Sequence, residues 1–140
     1  MKILLAIDGS SYSKKMLAYL VTHDELFTPS HSYAALTVLP PVPPRVTALV
    51  GHSAVQQIHT EDADSILQPV DKFLRRHGIA AKCSWKAGPA GDTIARFAAA
   101  GKYDLIVMGS HGHGTVLNVV MGSVATRVLA QSKLPVLLVR

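Results

Sequence analysis

The residues whose types and spacing suit a chemistry are Gly109-Ser110-His111-Gly112 and, nine residues later, Gly122-Ser123. The run at 105–108 (Leu-Ile-Val-Met) reads as a buried strand, and 124–129 reads as a helix. A glycine-rich loop between a strand and a helix is where a parallel α/β sheet holds phosphate. The glycines let the backbone approach the anion, and the N–H groups of the helix N-terminus face it. A second chemical group, Asp8, ends the apolar run that opens the chain. If these two strands are neighbours, Asp8 and Gly109 flank one crevice. The Asp8 carboxylate would there meet a ribose hydroxyl or a phosphate-bound metal ion, and its plainer role is to cap the next helix.

Several phosphate and catalytic motifs do not fit. Gly109 and Gly114 have the Walker A spacing, but Thr115 follows where a lysine is needed. Gly112-x-Gly114 begins a dinucleotide fingerprint, but Leu117 stands at the third glycine. The order His-Gly-His-Gly at 111–114 is not the His-x-Gly-His of nucleotidyl transferases, and no Gly-x-Ser-x-Gly elbow is present. No Lys or Arg lies between Lys102 and Arg127. Phosphate charge is therefore expected to fall on backbone N–H groups, the Ser110 and Ser123 hydroxyls, the helix dipole and a divalent cation, Mg²⁺ or Mn²⁺. His111 and His113 alone are too few donors for a transition-metal site.

The elements that must position these groups follow from periodicity and punctuation. Residues 2–8, 33–39, 79–87, 104–108 and 135–140 read as strands, the third more polar and suited to an edge. Between them lie helical patterns: one carrying Met16, Leu17, Leu20 and Val21; one from about Glu61 to His77; one carrying Ile94, Ala95, Phe97 and Ala98; and one from about Val119 to Gln131. Pro40, Pro41, Pro43 and Pro44 predict a stiff extended exit from the second strand. Gly51 argues against a long element over 47–57, and Pro69 predicts a kink or a new helical piece. The alternation predicts an α/β fold, a five-stranded parallel sheet flanked by helices on both faces, Rossmann-like, in one domain over residues 1–140.

The joint pattern Gly-x-x-Gly, nine residues, Gly-Ser, followed by Leu134-Pro135-Val136-Leu137-Leu138-Val139-Arg140, resembles the universal stress protein family. The opening strand and turn, Lys2-Ile3-Leu4-Leu5-Ala6-Ile7-Asp8-Gly9-Ser10, resemble it too, whereas residues 40–65 carry no such pattern. The resemblance implies an adenine nucleotide alpha hydrolase-like fold and a site for ATP, or ADP or AMP, with Mg²⁺ or Mn²⁺. Carried onto this sequence, the site is Asp8 with Ile7 beside it, Val38 for the base, and Gly109, His111, Gly112, Gly122, Ser123 and Val124 of the glycine motif for the phosphates, with Met108 directly before it; Asp8 is also the metal ligand. It implies a regulatory stress-response module that acts with a protein partner. The alternatives are a nucleotide-free dimeric interaction protein and a slow ATP hydrolase, and for the last no general base, arginine finger or nucleophile stands beside the glycine loop.

Composition bounds the rest. Forty-nine per cent hydrophobic against 16% charged residues suits a globular chain with a filled core, and no apolar run is long enough for a transmembrane helix. The start reads as a strand rather than a signal peptide, and a lone Cys83 allows no internal disulfide, as expected in the cytoplasm. The net charge of +5 is scattered, with only Arg75-Arg76-His77 clustered, so no nucleic acid partner is expected. Cys83 is expected to be a buried inert thiol and Trp85 an edge-packing residue. The last strand, at 135–140, is the most apolar and falls at a sheet edge with no sequence after it to cover it. A homodimer through this strand, with Val136 and Leu138 on one face, is therefore expected, as the resemblance also implies.

Overall fold

The computed structural model describes residues 1–114 and 118–140. Five strands, β1 (Lys2–Ala6), β2 (Ser32–Leu39), β3 (Ala81–Ala87), β4 (Leu105–Gly109) and β5 (Val136–Val139), form one sheet in the order β3-β2-β1-β4-β5, every pair parallel. The helices are α1 (Ser11–Thr22), α2 (Pro44–Val50), α3 (His52–Arg76), α4 (Ala90–Ala100) and α5 (Ser123–Gln131).

The unbroken apolar run of β1 follows from its central place. Ile3, Leu4 and Leu5 are fully buried because strands flank β1 on both sides and helices cover both faces. Alternation sorts its side chains. Ile3, Leu5 and Ile7 meet Met16 and Leu20 of α1 and Leu67 and Leu74 of α3, whereas Leu4 and Ala6 meet Ile94 and Ala98 of α4 and Ala125 and Val128 of α5. Strand order runs one way from β1 to β2 and the other way from β1 to β4, which places a switch point between β1 and β4. The polar β3 is an edge strand as its sequence predicts, and β5 is the other edge.

Three expectations change. Helix covers nearly all of 44–76, where the sequence reading placed helix only from about Glu61. Pro44 takes the first helical position, where a missing N–H is harmless, and Gly51 at φ +86° divides α2 from α3. None of α2 is buried, so it shows no apolar periodicity to read. Pro69 does not divide α3, which holds helix for 25 residues with Pro69 on its exposed side. Finally, α5 begins at Ser123 rather than near Val119, because Gly122 spends its N–H on the Ser110 carbonyl at 2.7 Å.

Candidate functional site

Asp8 lies two residues beyond the end of β1, and its carboxylate is fixed by its own turn. Asp8 Oδ1 accepts from the Ser10 N–H at 2.9 Å and from the Ser13 hydroxyl at 2.7 Å, while the Ser13 Oγ accepts from the Asp8 N–H at 3.0 Å. Gly9 at φ +77° makes this turn possible. The helix cap itself is Ser10, whose Oγ accepts from the Ser13 N–H, so Asp8 organises the cap without being it. The other oxygen, Oδ2, lies over Gly112, where a β-carbon would stand 2.6 Å from it. Gly112 is thus needed for the loop to reach the carboxylate.

The loop after β4 is held by its own side chains. Ser110 is buried; its N–H bonds the Val139 carbonyl at 2.8 Å and its Oγ lies 2.8 Å from His111 Nδ1. His111 Nε2 lies 2.7 Å from the Val119 carbonyl and His113 Nε2 lies 2.7 Å from the Asp8 carbonyl. A carbonyl only accepts, so both Nε2 atoms carry a proton and donate, and in the neutral ring His111 Nδ1 accepts from Ser110. One histidine ties the outgoing limb of the loop to its return, and the other ties the loop to the end of β1. Among the described residues no three His, Cys, Asp or Glu side chains gather as a metal centre. Gly122 completes the frame: a β-carbon there would lie 3.1 Å from His111 Cα and 3.2 Å from the Ser110 carbonyl.

Gly109 is explained differently. Its missing side chain makes room for α1, since a β-carbon would meet Tyr12 Cβ at 2.7 Å and the Tyr12 carbonyl carbon at 3.1 Å. Helix–sheet contact accounts for this glycine, and only its backbone faces the cleft.

These elements enclose a cleft of about 780 Å³ at the carboxyl edge of the sheet. All ten positions singled out in the sequence line it: Ile7 and Asp8 after β1, Val38 of β2, Met108 and Gly109 of β4, His111 and Gly112 of the loop, and Gly122, Ser123 and Val124 at the start of α5. The cleft has two characters. Ala6, Val38, Ile94, Met108 and Ala125 make an apolar end continuous with the core under α4 and α5. Asp8, His111, Gly112 and Ser123 make a polar end at the α5 N-terminus, where Gly122 supplies no capping side chain. The first-turn N–H groups of such a helix suit an anion.

Sequence reasoning passed over Ala90 and Ile94 of α4 and Arg127 of α5, all on the cleft wall. For Arg127 a signal existed: it stands four residues after Ser123, on the same helix face. Residues 40–65 do not line the cleft. Thr115 and Leu117, which end the Walker and dinucleotide comparisons, lie outside the described residues. Cys83 is half-buried on β3; burial first and the nearby Asp71 second push its thiol pKa up, against a lowering by Arg75, so the neutral thiol is favoured.

The model of the universal stress protein family matches residues 1–140. The chain belongs to this family. Among curated relatives, a universal stress protein of Synechocystis sp. is 28% identical over 99% of this chain and 42% of its own length. A universal stress protein of Methanocaldococcus jannaschii is 28% identical over 99% of this chain and 81% of its own. The chain thus spans less than half of the first relative. The solved structure of the Methanocaldococcus jannaschii protein MJ0577 superposes with a TM-score of 0.82 at 25% identity, covering 99% of this chain and 94% of that one. A family protein from Arabidopsis thaliana with AMP bound (TM-score 0.71, 15% identity, 99% and 91% covered) and one from Archaeoglobus fulgidus in complex with dAMP (0.67, 18%, 100% and 98%) share the fold. As in other universal stress proteins, then, the sheet here is the Rossmann-like one its sequence predicts. No helix of the described residues is long and apolar enough to cross a membrane.

Proposed function

We propose that this universal stress protein binds an adenine nucleotide in the cleft between β1, β4 and α5, as one domain over residues 1–140. The observation that carries this reading is the cleft's division: an apolar slot for a base beside a helix N-terminus and a glycine frame for phosphate. Two neighbours of the same fold hold AMP and dAMP, which supports the adenine class. A micromolar dissociation constant is expected, about −7 to −9 kcal/mol. Calorimetric titration with AMP, ADP and Mg-ATP tests it; absence of heat and of thermal shift with all three overturns it.

The residues fit a divalent cation that arrives with a polyphosphate. Asp8 offers a single carboxylate with Oδ2 toward the loop, Ser123 offers a hydroxyl, and Mg²⁺ commonly takes one or two carboxylates plus phosphate oxygens. The ion would neutralise the tail's charge. Chelation should therefore weaken ATP and leave AMP unchanged.

The proposal extends to a cytoplasmic regulatory module, a homodimer through the outer edge of β5. Among the described residues that edge strand pairs only with β4, and its four residues are each half-buried. Val136 and Leu138 pack against the core under α4 and α5, so charging them strikes the protein's own core as well as any partner. A cleaner test removes the edge's N–H donors. Proline at Leu138, whose N–H faces away from β4 because Pro135 and Val139 bond toward it, should shift sedimentation from dimer to monomer, and a monomeric wild type at tens of micromolar would overturn the pairing.

A further inference from the structure

Arg127 has no part in the reading so far, yet its position is tightly determined. Gly91, in the first turn of α4, has no room for a side chain because Arg127 fills that space: a β-carbon would meet Arg127 Cβ at 2.5 Å and Cγ at 2.6 Å. The stem of Arg127 is thus pressed against α4. Its Nε donates to Asp92 Oδ1 at 2.8 Å, which tethers the guanidinium to the same turn of α4. Nη1 and Nη2 have no hydrogen-bond partner among the described residues, and the side chain is 55% exposed.

These contacts hold Arg127 against the start of α4, on the cleft wall that Ala90 and Ile94 also line. The neighbours of Asp92 that line the cleft are Ala90 and Ile94, and Ile94 shares a core cluster with Ala6 and Met108, against which Val38 packs. A planar cation beside an apolar slot, with its Nε already engaged, meets a ligand best through its face, by stacking on an aromatic ring. A phosphate would instead draw on its Nη donors and respond to charge.

We infer that Arg127, oriented by Asp92, walls the base end of the cleft and selects a planar aromatic base by stacking on it. This rests on the nucleotide reading above and adds to it a residue that determines which ligands fit. The test is calorimetric titration of wild type, Arg127→Ala, Arg127→Lys and Asp92→Asn with adenosine, AMP and Mg-ATP, each variant first shown to be folded by circular dichroism melting. Stacking predicts a loss on the order of tenfold for all three ligands in both Arg127 variants, because lysine keeps the charge without the plane. Asp92→Asn should lose a few-fold, equally across the ligands. A loss confined to AMP and ATP makes Arg127 a phosphate contact and overturns the inference, as does wild-type affinity in either Arg127 variant. If Arg127→Ala does not fold, the lysine and Asp92 variants decide by the same outcomes. Failure of the wild type to bind any of the three removes the nucleotide reading itself, a result distinct from binding that ignores Arg127.

Discussion

Of the connections that leave the carboxyl edge of the sheet, those after β4 and β2 are built on opposite principles. The glycine loop after β4 is fastened by side chains: His111 bonds the loop's far limb, His113 bonds the segment after β1, Ser110 Oγ meets the His111 ring, and Gly112 and Gly122 sit where a β-carbon would strike Asp8 or the loop backbone. The segment after β2 is fastened almost nowhere. It has four prolines and a two-turn helix without a buried residue, and it is tied down by His59 Nε2, 3.2 Å from the Pro40 carbonyl. The first arrangement specifies one geometry through contacts; the second limits the chain through its covalent stiffness. Only the first can present a preorganised site.

The largest effect should come from filling the frame. Gly122→Val places a branched side chain against His111 Cα and the Ser110 carbonyl, and nucleotide affinity should fall by more than about 100-fold. Calorimetry showing unchanged affinity would mean the loop is not the phosphate site. Next, Gly112→Ala forces the loop off Asp8 Oδ2 and should weaken Mg-ATP more than AMP, on the order of tenfold against a few-fold, if Asp8 holds the metal. Equal losses would break that assignment.

A smaller effect is expected from unfastening. His113→Ala removes one hydrogen bond to Asp8 and should lower stability by about 1 kcal/mol, read as a shift in denaturant midpoint, with a measurable loss of affinity. His59→Ala should lower stability as well, through lost contact with Trp85 and Pro40, but leave affinity untouched, since no residue of 40–65 lines the cleft. If both histidines altered affinity alike, the contrast between the two connections would fail. The smallest effect belongs to Leu49, 86% exposed on α2: Leu49→Lys should change stability by no more than about 0.5 kcal/mol and binding not at all.

The residues of the candidate site were legible far beyond their energetics. Asp8, Val38 and Gly112 reach the cleft because each lies at or just beyond the end of a strand, and Gly122 because it opens α5; strand ends and helix starts are linear signals. What each does was less legible. Gly109 lines the cleft as its motif predicts and also makes room for Tyr12; Asp8 looked like a helix cap and leaves that task to Ser10. Arg127 gave only its spacing from Ser123, and nothing in the sequence joined it to Asp92.

The sequence by itself determined the α/β class, the number of strands and the place of the glycine frame, because burial on both faces demands unbroken apolar runs and turns demand glycine, and both are written locally. Tertiary structure alone decided that His113 closes on Asp8, 105 positions away, that Gly91 makes room for Arg127, and that 44–58 is helical without burying α2. Such contacts depend on where distant backbones meet, and an exposed helix has no buried face to impose a period on its sequence.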